Sequence, residues 1–178
     1  MRVFVALMPS TISVELISTF SDHAQGWHGL QDFHMTLCFL GRKSNSQVLQ
    51  LKHELDSCGI KAAVTCSIDR MGDFPNSDTP KTWALEGVMN PEIEGILSQL
   101  AKLPSLQTMQ QGRGFRPHVS LCEKRFTNGD QVEERFSLKG GSVDLNFDRL
   151  ALLQSNQKRG LSEPRYQIIW QQSLTEAG

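Results

Sequence analysis

The chain has 178 residues, of which 39% are hydrophobic and 21% charged, with a formal net charge of -1. Counting its 14 glycines, the apolar set reaches about 47%, the composition of an ordered globular protein and not of a disordered one. One domain covering 1–178 is expected, large enough to bury a core without disulfide or metal staples. Near-zero net charge excludes a protein that coats nucleic acid by bulk electrostatics, so any basic patch has to be local.

The first element is a strand over Met1–Met8. Its apolar run, Val3 to Met8, is closed by Pro9. Six residues are too few for a membrane span or for the core of a signal peptide, so a cytoplasmic protein with no membrane association is expected. Pro9-Ser10 then starts a helix predicted to run to about His23, with Ile12, Leu16, Ile17 and Phe20 on one face. Phe33 to Leu40 reads as a strand closed by Gly41. A second helix over Ser46–Ser57 groups Val48, Leu51 and Leu55 and stops before Gly59, which suits a left-handed cap. Ala62–Arg70 and Lys81–Val88 read as paired strands around the turn-forming stretch GDFPNSDTP. The third helix has Asn90 as cap, Pro91 in its first turn and Glu92 and Glu94 at its positive end, and it stops by Pro104. Arg116–Cys122, Ser142–Gln154 and Tyr166–Leu174 complete the strands.

No linker divides these elements, and strands outnumber helices without strict alternation. That order predicts an α+β fold with largely antiparallel sheets. The four cysteines have neither C-x-x-C spacing nor histidines at zinc-ligand spacing, and Cys38 and Cys122 sit in apolar strand-like stretches. They read as free thiols and not as metal ligands.

Two segments repeat one pattern. His34-Met35-Thr36-Leu37-Cys38 and His118-Val119-Ser120-Leu121-Cys122 both read histidine, apolar, hydroxyl, leucine, cysteine. With 5 His, 26 Ser plus Thr and 21 Leu, a shuffled chain of 178 residues holds only about 0.09 copies of H-x-[S/T]-L, so two copies signal design. On a strand, His34 and Thr36 share one face and Met35 and Leu37 the other, and His118 and Ser120 oppose Val119 and Leu121 in the same way. Each copy thus offers an imidazole and a hydroxyl to a wet face. The copies lie 84 residues apart (118 − 34), as two lobes contributing one strand each to a shared cleft would require.

Paired imidazoles suit in-line displacement at phosphorus, one neutral ring taking a proton from water and one protonated ring giving a proton to the leaving alkoxide. The hydroxyls can donate to the oxygens on which charge develops. His23, His28 and His53 have no matching partner and read as ordinary polar residues. Neither H-x-x-x-H nor a neighbouring acid accompanies the motifs, so no metal and no cofactor is expected.

At these residues the chain resembles the two-histidine phosphoesterase superfamily, and within it the LigT-like RNA 2',3'-cyclic phosphodiesterases, also called 2'-5' RNA ligases. The similarity runs nearly end to end: Arg2–Leu7 for the first strand, Phe33–Gly41 (FHMTLCFLG) and Gly114–Leu121 (GFRPHVSL) for the two motifs, Thr82–Leu85 around Trp83, and Leu152–Ser155 with Pro164-Arg165-Tyr166 for the closing hairpin. The resemblance implies a bilobal α+β fold, two mostly antiparallel sheets flanking a central cleft with helices outside. It implies hydrolysis of an RNA terminal 2',3'-cyclic phosphate to a 2'-phosphomonoester, with reversible 2'-5' ligation as a companion activity. It makes His34 the proton donor and His118 the proton acceptor; spacing alone does not order the two.

The resemblance departs at one position. An arginine usual five residues after the second histidine is replaced by Glu123, followed by Lys124 and Arg125. Either the cation has moved along the chain or phosphate binding is weaker; parity with His118 and Ser120 favours Lys124 over Arg125. Two short segments, Arg113–Arg125 and Arg149–Arg165, each carry a local charge of +3 (four cations and one anion). Lys124, Arg116 and Arg165 are therefore candidate phosphate ligands, and Tyr166 and Phe4 candidate platforms for a terminal base, with core packing the competing role for Phe4. The expected ligands are RNA 3' ends bearing the cyclic phosphate or small cyclic nucleotides, bound by a monomer. A non-catalytic RNA-end or nucleotide-binding module of the same fold, and a phosphodiesterase for another small cyclic phosphate, stay open.

Overall fold

A computed structural model describes residues 1–20, 28–75, 82–107, 114–123, 140–156 and 164–175. Its seven strands are β1 (Arg2–Pro9), β2 (Met35–Arg42), β3 (Val64–Phe74), β4 (Thr82–Gly87), β5 (His118–Glu123), β6 (Val143–Ser155) and β7 (Tyr166–Ser173), with helices α1 (Thr11–Ser18), α2 (Asn45–Ser57) and α3 (Pro91–Leu100). All strand pairings are antiparallel, in the order β1-β2-β5-β4-β3-β6-β7, and a further β1–β6 pairing closes the array. The fold is α+β.

The two expected sheets share a strand. The first half of β6 (Val143–Phe147) pairs with β3, its second half (Arg149–Ser155) pairs with β7, and its opposite edge pairs with β1. One arm is therefore β7-β6-β1-β2 and the other β6-β3-β4-β5. The arms meet again where β2 touches β5 through a single pair, Met35 with Val119. Both repeated motifs lie at that junction.

Burial follows strand parity. Val3, Val5 and Leu7 join Met35, Leu37, Val119 and Leu121 in the main core, which all three helices cover with Ile17 (α1), Val48, Leu51 and Leu55 (α2), and Ile93, Ile96 and Leu100 (α3). The other face of β1 supplies Phe4, Ala6 and Met8 to a smaller cluster with Ala151 and Leu153, against which Tyr166 packs. A strand buried on both faces reads as a continuous apolar run, which is why Val3–Met8 shows no alternation. The helices lie against the first face; the second carries the histidines.

The caps of α1 and α3 are as the sequence predicts. Ser10 caps α1 through a bond from the Ser13 N–H, and Asn90 caps α3. Ser44 and Gln47 form a reciprocal capping box at α2, which begins one residue earlier than expected, and Gly59 follows it at φ +74. α1 stops at Ser18 instead of running on toward His23, because the Thr19 and Phe20 N–H groups bond back to Leu16 and Ile17 in a tight turn that seats Phe20 in the core. β3 runs four residues past Arg70, since Met71–Phe74 still pair with Leu85–Thr82. Among the described residues no helix is long and apolar enough to cross a membrane.

Candidate active site

His34 is the residue before β2, and His118 is the first residue of β5. Because Met35 pairs with Val119, one step either way in this antiparallel register sets His34 across from Ser120 and Thr36 across from His118. Each imidazole thus faces the hydroxyl of the other motif copy. Met35, Leu37, Val119 and Leu121 are all buried in the main core, as strand alternation predicts.

The two rings are held alike. His34 Nδ1–H donates to the Asp32 carbonyl at 2.7 Å, and His118 Nδ1–H donates to the Arg116 carbonyl at 2.9 Å. A carbonyl only accepts, so in each neutral ring the proton sits on Nδ1 and Nε2 keeps its lone pair. Burial drives the His34 pKa down to about 4; the bond to Asp32 opposes that shift, and the nearby His118 adds to it. His118 is also lowered by burial, while its bond to the Arg116 carbonyl and the negative charge of Glu86 raise it and the Arg116 cation lowers it. Two neutral imidazoles are the resting state.

Around His34 stands an aromatic wall. Phe4 lies 5.1 Å and Tyr166 4.8 Å from its ring, centroid to centroid, with Tyr166 edge-on to both. Phe4 is only 3% exposed, so it backs the histidine from within the smaller core cluster and has no face left for a base. Phe39 is 70% exposed and packs 5.5 Å from Phe4, a neighbour of the site that the sequence reading did not single out. Asp32 explains how His34 is tied to β7. Its buried carboxylate accepts the Arg165 N–H at 2.9 Å while its carbonyl holds His34. Burial raises the Asp32 pKa, and backbone N–H groups of Arg165 and Tyr166 and the Arg165 charge pull against that rise.

Around His118 the arrangement differs. Phe74, at the end of β3, stacks on the imidazole at 3.7 Å and 18°, and the Arg116 guanidinium lies 4.9 Å from the Phe74 centroid. Arg116 is ion-paired with Glu86, through Nε at 3.0 Å and also through Nη2, and its Nη1 donates to the Pro75 carbonyl. Three of its nitrogens thus have protein acceptors. A cavity of about 910 Å³ opens beside Thr36 and His118, with Phe74, Phe115 and Leu97 among its walls.

The structure therefore gathers His34, Thr36, His118 and Ser120 at the junction, with Phe4, Tyr166, Arg165 and Arg116 beside them. Lys124 and Arg125 lie outside the described residues, as do Arg113, Lys158 and Arg159 of the two basic segments. Arg149 is bound to Asp148 and to the Pro9 carbonyl. The four cysteines are free thiols. Among the described residues no three His, Cys, Asp or Glu side chains converge on a point that could hold a metal ion.

The fold is that of the two-histidine phosphoesterases, and the paired histidine motif lies at the junction of its two arms. Within that fold the LigT structures are among its neighbours, and the chain aligns with one curated relative over most of its length. It is 26% identical, over 163 positions spanning 85% of this chain and 81% of the relative, to an RNA 2',3'-cyclic phosphodiesterase of Bacillus subtilis (strain 168). Its fold matches Escherichia coli LigT in the apo form (TM-score 0.65, 19% identity, 98% of each chain) and in complex with 3'-AMP (0.64, 21%, 98% of each chain). It matches TT0787 of Thermus thermophilus over the whole of both chains (0.62, 21%). No family model matches the chain.

Proposed function

We propose that the protein hydrolyses the 2',3'-cyclic phosphate at an RNA 3' end to a 2'-phosphomonoester, by general acid/base catalysis on its two histidines. The observation that carries this reading is the matched tethering of the rings. Each Nδ1–H is fixed to a carbonyl two residues upstream, which leaves both Nε2 atoms for the substrate. His118, neutral, takes a proton from water as it attacks phosphorus. His34, protonated, gives its proton to the departing 3' oxygen, and bond cleavage leaves the phosphate on the 2' oxygen. Thr36 and Ser120 donate to the non-bridging oxygens. An anionic phosphate beside His34 favours its charged form and offsets the burial that otherwise keeps it neutral. Ligation of a 2'-5' bond follows the same path with an RNA 5' hydroxyl replacing water and the same proton roles, and cleavage of that bond by the 3' hydroxyl is its reverse, with the roles exchanged.

The relative's name and the 3'-AMP complex of LigT support the same substrate class. Arg165 and Tyr166, at the start of β7 beside His34, suit the phosphate and the terminal base. Lys124 is retained as a further phosphate ligand, the chain acting in the cytoplasm as a single-domain monomer.

The test is turnover of a 2',3'-cyclic mononucleotide in EDTA by the wild type, His34→Ala and His118→Ala. Each variant loses at least about 10²-fold in kcat, the usual size of an acid–base contribution. Full activity in either variant contradicts the mechanism. Wild-type binding without product favours the non-catalytic module.

A further inference from the structure

Glu86 has no role in the two motifs, yet it is one of the few buried charged residues among those described, at 5% exposure. It sits on β4 directly across from His118 in the β4–β5 register, so the two side chains leave the sheet side by side. Its carboxylate is largely buried, and Oε2 accepts from Arg70 Nη2 at 2.8 Å and from two nitrogens of Arg116. An ionised carboxylate this buried persists only because it is paired and hydrogen-bonded on several sides.

What it holds is the segment that holds His118. The Arg116 carbonyl takes the Nδ1–H bond, and the Arg116 guanidinium lies over Phe74 and bonds the Pro75 carbonyl, while the Phe74 ring stacks on the imidazole. One residue further along each strand, the Gly87 N–H donates to the Pro117 carbonyl at 2.8 Å. β4 therefore fastens the two residues before His118 twice, once through a side chain and once through the backbone. We propose that Glu86 is a positioning residue for His118: its buried carboxylate anchors Arg116, and Arg116 fixes the imidazole through its own carbonyl and through the Phe74 ring. The inference rests on the hydrolase reading above and deepens it by naming what aims the base.

The charged groups facing His118 are Glu86 on β4, Arg116 before β5, His34 before β2 and, through Glu86, Arg70 on β3. Neutralising Glu86 leaves the Arg116 cation acting on the ring without the anion that opposes it. Glu86→Gln is therefore expected to move the NMR titration midpoint of His118 to lower pH and to cut kcat tenfold or more, with KM changed less than twofold. Glu86→Asp keeps the charge but shortens the tether, so it keeps the titration midpoint and loses kcat. An unchanged His118 titration in Glu86→Gln, or a kcat within twofold of wild type, overturns the proposal. Should Glu86→Gln not fold, Phe74→Leu reads the same link: a tenfold fall in kcat at constant KM supports it and full kcat overturns it. The titration needs no substrate, so a wild type without cyclic-phosphate turnover contradicts the hydrolase reading while the His118 midpoints still decide the role of Glu86.

Discussion

An imidazole buried beside a second imidazole cannot easily hold a charge, and His34 shows the consequence. Its folded pKa, about 4, lies below the ordinary value of 6.5. Between these two values the unfolded chain binds a proton that the native protein does not, so stability is full above pH 6.5 and falls as the pH drops toward 4. The span corresponds to about 3 kcal/mol. Urea unfolding of wild type and His34→Gln at pH 7.0 and pH 4.5 measures it: the variant should lose less stability than wild type on acidification, and parallel losses contradict the buried neutral ring. The two histidines and two hydroxyls were legible in the sequence because the pattern occurs twice with strand parity. Asp32 and Glu86 were not, since a single carboxylate carries no periodic signal. Their partners, Arg165 and the Arg70–Arg116 pair, lie 133, 16 and 30 residues away along the chain. The Glu92 and Glu94 pair was easier to interpret only because a helix cap stands beside it.

At the scale of elements, the starts of α1 and α3 were readable because the caps Ser10 and Asn90 are local chemistry, whereas the Ser44 cap of α2 went unread among the neighbouring Asn45 and Ser46. Strand ends depend on remote partners. β3 continues through Gly72, Asp73 and Phe74 because β4 lies beside it, although those residues look like a turn in isolation. That continuation carries Phe74 to His118, so the misread strand end concealed a contact of the site. Gly87 makes a sharp test of the β3–β4 packing. A Cβ there would lie 2.4 Å from Cys66 Sγ, 3.1 Å from Ile68 Cδ1 and 3.2 Å from the Ser67 carbonyl oxygen. Gly87→Ala is expected to cost about 1–3 kcal/mol through overpacking, read as a lower urea midpoint at unchanged slope. An unshifted midpoint contradicts the close approach of β3 to the end of β4.

Over the whole molecule, one shared strand and one two-residue bridge bring the motif copies together from 84 positions apart (118 − 34). Composition and element order pointed to antiparallel α+β, but the sharing of β6 between two arms is a matter of remote register and left no mark in the sequence. The net charge of -1 suits the proposed ligand, one phosphate-bearing end and not a coated strand. Burial pushes both histidines below the ordinary imidazole value, and the proposed acid/base catalysis needs one of them charged. The profile of kcat/KM should therefore be a bell with its maximum below pH 6.5, falling about tenfold per pH unit on the alkaline side; a plateau from pH 5 to 8 contradicts the paired imidazoles. The proposed reaction is decided by the phosphomonoester that the protein forms from a 2',3'-cyclic nucleotide in EDTA. The expected product is the 2'-phosphate alone, released with a free 3' hydroxyl. A 3'-phosphate, or an unconsumed cyclic phosphate, would contradict it.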